Sequence, residues 1–306
     1  MRLFNGRKVA DKILKDLKTE IKKKKIKPVL AVILVGDDAP SKIYVRLKKE
    51  AGKKVGIKVD VYKFKAQEKE RTLIKKIKEL NKDKKIQGII VQLPLPPHFN
   101  KNKITGMISP LKDVDGFHKS NQKLLVKGKP RFVPPLPAAI LLAIRAAYNF
   151  VIPAHAGIHI LDSCFRRNDT MGERVLRGRK AMALVNSDTF GRVLKMVLEK
   201  EGLKFNYLVR KVCMISGSEE EFQDADILIT ACGCPNLVGK GMIKKGAVIV
   251  DAGITRFHDK KVVGDVNRKE VSKKAGFLTP VPGGVGPVAV VLLLRNVLVA
   301  TLRNYG

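Results

Sequence analysis

Cysteine is scarce in this chain: Cys164, Cys213, Cys232 and Cys234 are the only four in 306 residues. That density indicates no disulfide framework. Cys232 and Cys234 stand two apart with no second ligand pair at zinc-finger spacing, so no metal site is expected. Long apolar runs are also missing. The longest near the C-terminus, Val288 to Leu294, stops at Arg295 and falls short of the ~20 residues that span a bilayer, so no membrane partner is expected. Met1-Arg2-Leu3-Phe4-Asn5-Gly6 lacks the apolar core and small-residue cleavage site of a secretory signal, and a cytoplasmic location is expected. Acidic residues are few, 28 against 61 Lys and Arg, which leaves a formal charge of +33. Such a field favours anionic ligands and attracts nucleic acid non-specifically at low salt. The lysines nevertheless lie along polar helix faces, as in Lys75-Lys76-Ile77-Lys78-Glu79-Leu80, with no dense tail and no nucleic-acid motif. The reading is a solvated basic surface without a specific nucleic-acid partner. A basic nucleic-acid-binding protein remains the alternative from a different class.

What the chain does have is apolar content, 45%, sufficient for real cores, and a length comfortable for two domains. Val9, Ile13, Leu17 and Ile21 recur every four residues, the period of an amphipathic helix. Val29 to Val35 is a continuous apolar run closed by Gly36, as in a strand buried on both faces. Asp37-Asp38-Ala39-Pro40-Ser41 then turns into a helix with Ser41 as N-cap. Val59 to Phe64 and Ile86 to Leu93 read as strands, with a helix over Leu73 to Leu80 between them. A second α/β unit starts near Lys180. Its strands are Met182 to Val185, Phe205 to Val209, Ile227 to Ala231 and Ala247 to Val250; Arg192 to Lys200 is a helix. An apolar helix from Pro287 to about Asn304 ends the pattern. Alternating strands and helices predict parallel sheets covered by helices, with ligands beyond the carboxyl ends of the strands.

Chemistry concentrates in a few segments. Tyr44 and Lys48 are four apart and share a helix face. A lysine acts as a general base only when burial or neighbours lower its pKa. Gln92 ends an apolar strand at the ligand edge, where a neutral amide can orient an amine without adding charge. Asp113-Val114-Asp115 forms an acidic turn, and a carboxylate can pair with a row of donors on a heterocycle. Asp113 reads as the turn or cap residue, and His118 as a turn histidine.

Ser41–Lys48, Gly88–Pro96, Pro110–His118 and Pro282-Gly283-Gly284-Val285-Gly286-Pro287, in this order, resemble the bifunctional methylenetetrahydrofolate dehydrogenase/cyclohydrolase family over nearly the whole chain. The resemblance implies an α/β fold of two domains around a cleft, the second a Rossmann-like dinucleotide-binding domain. It implies a folate-binding domain over 1–147, to which the helix 287–306 returns, and an NADP-binding domain over 178–286. The implied reactions are oxidation of 5,10-methylene-tetrahydrofolate to the methenyl form with NADP, then hydrolysis to 10-formyl-tetrahydrofolate. Lys48 is then the acid/base centre, Tyr44 stacks on or hydrogen-bonds the folate, Gln92 holds the lysine amine and Asp115 binds the pterin edge. Pro282, Gly283 and Gly284 join the substrate site. Tetrahydrofolate derivatives, polyglutamylated forms among them, and a homodimer are the implied partners.

The cofactor half departs from the family pattern. Where the family has Gly-Arg-Ser-x-x-Val-Gly-Lys/Arg-Pro, this chain reads Val185-Asn186-Ser187-Asp188-Thr189-Phe190-Gly191-Arg192-Val193. Ser187, Gly191 and Arg192 are kept; Gly233, Pro235, Asp251, Gly253 and Ile254 also match. The implied cofactor is NADP, with NAD as the alternative. Val185 replaces a glycine that lets backbone approach phosphate, and its branched side chain is expected to intrude there. Val288-Ala289 lacks a hydroxyl that the family carries, and Pro134-Pro135-Leu136-Pro137 lacks a polar pair. Asn149 to about Val175 has no helical or strand period and reads as an insertion, set at 148–177, in the interdomain link. His155 and His159 stand at metal-compatible spacing within it, but Gly157 between them weakens a helix. These departures leave open a family member with an impaired dehydrogenase that keeps only hydrolysis or folate binding.

Overall fold

A computed structural model describes residues 1–149, 175–210, 222–256 and 262–304. The expected insertion with His155 and His159, together with Cys164 and Cys213, falls outside the described residues or at their margin. The chain divides into two compact units. One comprises Asp11–Pro135 and Val290–Gly306, the other Met1–Ala10 and Leu136–Ala289.

The first unit is built on a three-stranded parallel sheet, ordered β3-β2-β4, of β2 (Val29–Val35), β3 (Lys58–Phe64) and β4 (Gly88–Val91). β2 is central, which explains why its unbroken apolar run from Leu30 to Val35 is buried. Helix α1 (Gly6–Lys24) buries Ile13, Leu17 and Ile21, and α3 (Glu70–Lys82) buries Leu73, Ile77 and Leu80. Between them α2 (Ala39–Val55) starts earlier than expected. Its N-cap is Asp38, whose carboxylate accepts a hydrogen bond from Ser41 N at 2.8 Å. Ser41 is therefore not the cap. It lies inside the first turn, buried, with Oγ donating to Leu93 O at 3.3 Å. The carboxylate one turn upstream reaches the orphan amides first, and Pro40 suits the turn that follows it.

β4 ends at Val91, so the expected strand to Leu93 is shorter, and short helices α4 (Lys101–Gly106) and α5 (Lys119–Val126) follow. The last helix, α9 (Val285–Asn304), starts two residues before the expected Pro287 and includes Arg295. Its span Val285–Arg303 is long and apolar enough to cross a membrane, contrary to the length read from the run 288–294, yet 72% of that window is buried. Asn296, fully buried in its middle, donates from Nδ2 to Val114 O and Val133 O, both at 2.8 Å. An amide tied to two loop carbonyls marks a core helix of this unit.

The second unit carries a six-stranded, all-parallel sheet in the order β1-β11-β8-β7-β5-β6. Its strands are β1 (Arg2–Leu3), β5 (Lys180–Val185), β6 (Lys204–Val209), β7 (Ile227–Ala231), β8 (Val248–Asp251) and β11 (Phe277–Leu278). A two-stranded ribbon, β9 (Thr255–Arg256) with β10 (Val262–Val263), lies apart from it. Helices α6 (Pro135–Ala147), α7 (Asp188–Glu199) and α8 (Arg268–Val271) and a 3-10 turn (Lys240–Met242) complete the described elements. One face of the sheet packs Met182, Leu184, Phe222, Leu228, Val238 and Ile249 into a core. Helix α7 lies close on β6: a Cβ on Gly191 would sit 2.4 Å from the Tyr207 ring. Only glycine fits there. Among the described residues Cys232 is a free thiol.

Candidate functional site

In the first unit, α2 and the end of β4 bring two of the expected residues into direct contact. Lys48 Nζ donates to Gln92 Oε1 at 2.6 Å. Gln92 is fixed by its own backbone, whose N–H donates to Ile33 O at 2.8 Å, and by Nε2 donating to Leu93 O at 2.8 Å. The amide oxygen is thereby turned to the lysine. Although the Lys48 stem keeps some surface in solvent, its amine is deep enough that desolvation lowers its pKa from the ordinary lysine range. The charge of Asp115 opposes that shift in part. Lys48 Nζ also lies 6.0 Å from the centroid of the Tyr44 ring. Burial pushes the Tyr44 phenol up to about 12, so it remains a hydrogen-bond donor across the neutral range.

The acidic turn separates two carboxylates by task. Asp113 Oδ2 accepts from His118 N and from Asn121 Nδ2, each at 2.8 Å, and Arg131 donates to Asn121 Oδ1 at 2.8 Å. Asp113 is thus consumed by the turn. Burial lifts its pKa, and the hydrogen bonds it accepts pull the other way. The turn also uses Gly116 in the left-handed region at φ +76°, and His118 caps α5 by accepting from Ser120 N at 3.1 Å. Asp115 receives no hydrogen bond from the described residues. Burial raises it to about 6, with Lys48 lowering and Asp113 raising it. A deep carboxylate with unmet acceptor capacity beside an amine of lowered pKa is equipped to hold a donor-rich ligand and move a proton. Asn296 was not singled out from the sequence; an amide in the middle of an apolar helix was its only signal. Its bond to Val114 O anchors the residue next to Asp115.

The remaining predicted residues belong to the second unit. After β5, Val185 is fully buried, and its carbonyl accepts from Arg210 N at 2.7 Å. Its side chain lies within the fold. The exposed residue there is Asn186. Ser187 is the N-cap of α7 and makes no side-chain capping bond to the helix. Arg192 forms an exposed pair with Asp188 at 2.8 Å, and Tyr207 Oη donates to Asp188 Oδ1 at 2.8 Å. At the ends of β7 and β8, Gly233 takes φ +72° and Thr255 Oγ1 donates to Gly233 O at 2.9 Å. Asp251 Oδ1 accepts from Gly253 N at 3.0 Å, and Asp251 Oδ2 from Val266 N at 3.1 Å. Burial and neighbouring Asp265 push Asp251 up to about 7. Pro235 and Ile254 lie on the same two loops, each partly exposed.

Pro282 follows a cis bond, and Gly283 adopts φ +103°, a conformation that suits glycine. Gly284 backs onto Gly6, where a Cβ would stand 1.8 Å from Gly284 O.

An all-parallel sheet whose strand β5 leads into the N-terminus of α7 offers amides to an anion at a sheet's carboxyl edge. With glycines 233 and 253 keeping the neighbouring loops close, these residues fit a dinucleotide.

Two family models match: the tetrahydrofolate dehydrogenase/cyclohydrolase catalytic domain over residues 4–115, and the NAD(P)-binding domain of the same family over residues 169–305. The Bifunctional protein FolD of Pelagibacter ubique is 38% identical over 308 residues, covering 99% of each chain. The crystal structure of the bifunctional FolD methylenetetrahydrofolate dehydrogenase/cyclohydrolase from Campylobacter jejuni superposes with a TM-score of 0.78 at 35% identity, over 99% of both chains. The Trypanosoma brucei methylenetetrahydrofolate dehydrogenase-cyclohydrolase, solved with NADP cofactor and inhibitor, gives a TM-score of 0.82 at 29% identity. That match covers 99% of this chain and 98% of the other.

Proposed function

Because the chain belongs to the tetrahydrofolate dehydrogenase/cyclohydrolase family, we propose that it oxidises 5,10-methylene-tetrahydrofolate with NADP and hydrolyses the methenyl product to 10-formyl-tetrahydrofolate. The observation that carries this reading is the Lys48–Gln92 hydrogen bond at 2.6 Å beside the open carboxylate of Asp115. Lys48, with its pKa lowered by burial, takes the proton of the water that adds to the methenyl carbon. Gln92 holds the amine in line without adding a charge that would push its pKa back up. Asp115 accepts hydrogen bonds from the pterin edge, and the protonated Tyr44 phenol donates to the folate.

NADP, when bound, accepts the hydride. In this assignment the chain binds it through Ser187, Gly191 and Arg192 on the α7 turn and through Gly233, Pro235, Asp251, Gly253 and Ile254 on the neighbouring loops. Pro282, Gly283 and Gly284 complete the substrate site. The folate-binding domain is assigned to 1–147 with the helix 287–306, the NADP-binding domain to 178–286, with Met1–Ala10 and Leu136–Ala147 packing on the second unit. A cytoplasmic homodimer acting on polyglutamylated folates is part of the same proposal. Light scattering on the purified chain tests the dimer, and comparison of mono- and polyglutamylated substrates tests the tail.

The deciding experiment assays both steps on purified protein, with NADP and NAD in parallel. NADP-dependent formation of the methenyl compound and its hydrolysis are expected. Absence of both in folded protein would refute the assignment.

A further inference from the structure

We propose that Asp265 is a positioning residue for the dinucleotide site, its carboxylate acting as the template on which the loops after β7 and β8 are set. This rests on the reading that the second unit binds NADP. Asp265 is fully buried and lies on neither of those loops. Its Oδ2 accepts from Thr230 Oγ1 at 2.6 Å and from Cys232 N at 2.7 Å, while Oδ1 accepts from Cys234 N at 2.7 Å. Both sides of Gly233 are therefore anchored to one side chain. The second loop is held from the same place: Asp265 N donates to Asp251 Oδ1 at 3.1 Å, the oxygen that also accepts from Gly253 N.

Sequence composition fits itself around this carboxylate. A Cβ on Gly253 would lie 2.0 Å from Asp265 Cγ, and one on Gly264 would lie 2.0 Å from Asp251 Oδ2. Each acid thus requires a glycine opposite it. Asp251 N in turn donates to Thr279 Oγ1 at 2.8 Å, which extends the network to the end of β11. With three donors on its two oxygens, Asp265 is occupied by protein and acts through the loops. A buried carboxylate is a costly way to pack a loop, since an apolar contact avoids desolvating a charge. Its gain is directional: three short bonds, two of them from backbone amides, fix the loop to a degree that apolar packing does not.

Asp265→Asn in the full chain tests this, because either orientation of the amide sets its NH2 against a backbone N–H, at Cys232 or at Cys234. The readouts are the NADP Kd by titration, KM and kcat of the dehydrogenase, and hydrolysis of the methenyl substrate without NADP. About a tenfold rise in NADP Kd and KM is expected, with hydrolysis within about twofold of the parent. NADP constants within about twofold of the parent, or equal loss of both activities, would overturn the proposal, the second because it marks general damage to the fold. A parent protein that neither binds nor reduces NADP would instead overturn the functional reading, and it is measured first. If the Asn variant is not recovered folded, Thr230→Val decides, since it removes one donor and leaves both backbone bonds. A rise of about threefold in NADP Kd with unchanged hydrolysis supports the template, and no change refutes it.

Discussion

The two carboxylates Asp115 and Asp265 make an instructive pair. Both are carried on loops of their own unit; Asp265 is fully buried, and Asp115, between α4 and α5, keeps part of its surface in solvent. Asp265 has its acceptors filled by Thr230, Cys232 and Cys234. Asp115 has no hydrogen bond from the described residues, and its neighbour Lys48 is held by Gln92 instead. A satisfied buried acid builds structure, whereas an unsatisfied one is kept ready for a ligand. A related contrast separates two basic side chains. Lys48 is buried beside Gln92, so burial changes its proton affinity. Arg192 and Asp188 meet in solvent, with side chains 62% and 55% exposed, where such a pair contributes at most about 1 kcal/mol.

The sharpest way to break this contrast is at the amine. Lys48→Met is expected to lower methenyl hydrolysis about a hundredfold or more while NADP binding stays unchanged. Initial-rate assays and an NADP titration on the same preparation check it, and unimpaired hydrolysis would remove Lys48 from the chemistry.

Asp115→Asn should raise folate KM by roughly 10- to 100-fold, through loss of charge-assisted hydrogen bonds of about 1.5–3 kcal/mol. It carries a pH signature as well. Asp115 raises the Lys48 pKa, so its removal shifts the basic group of the hydrolysis profile to lower pH. The stability consequence has a defined sign. Asp115 titrates at about 6 in the fold against an ordinary 3.8. The folded state therefore holds the proton more tightly, and stability falls as pH rises from about 4 through 6. Urea midpoints measured across that range should fall more for the parent than for Asp115→Asn. Parallel curves would show that Asp115 is not perturbed.

At the α7 turn two substitutions that sequence comparison treats alike should separate. Asn186→Arg adds a phosphate-seeking charge at an exposed position and is expected to tighten NADP binding about tenfold. Val185→Gly removes a side chain buried in the fold, so it should cost about 2–3 kcal/mol of stability and leave NADP affinity unimproved. Thermal melts and NADP titrations distinguish them, and tighter binding by Val185→Gly would restore the intrusion argument. The smallest effect belongs to Asp188→Asn, which frees Arg192 from an exposed pair. A two- to threefold tightening of NADP binding is expected, fading at high salt. A titration at two ionic strengths checks it.

Sequence by itself determined the strand-helix alternation, since burial on both faces of a parallel strand demands runs such as Val29–Val35 and the helices between need one apolar face. It also determined that Tyr44 and Lys48 share a helix face, because that depends only on a four-residue step. It misjudged matters that competing neighbours decide. Ser41 lost the cap to Asp38, whose charged oxygen stands one turn earlier. Val185 is fully buried at the end of β5, and the direction of a strand-end side chain follows the pleat, which residue identity does not give. Only tertiary structure joined Lys48 to Gln92 across 44 residues, and Asn296 to Val114 across 182. Only tertiary structure decided which acid is saturated and which stays open. Proton affinity and hydrogen-bond satisfaction depend on what surrounds a group in space, and sequence spacing carries that information only within a turn or two of helix.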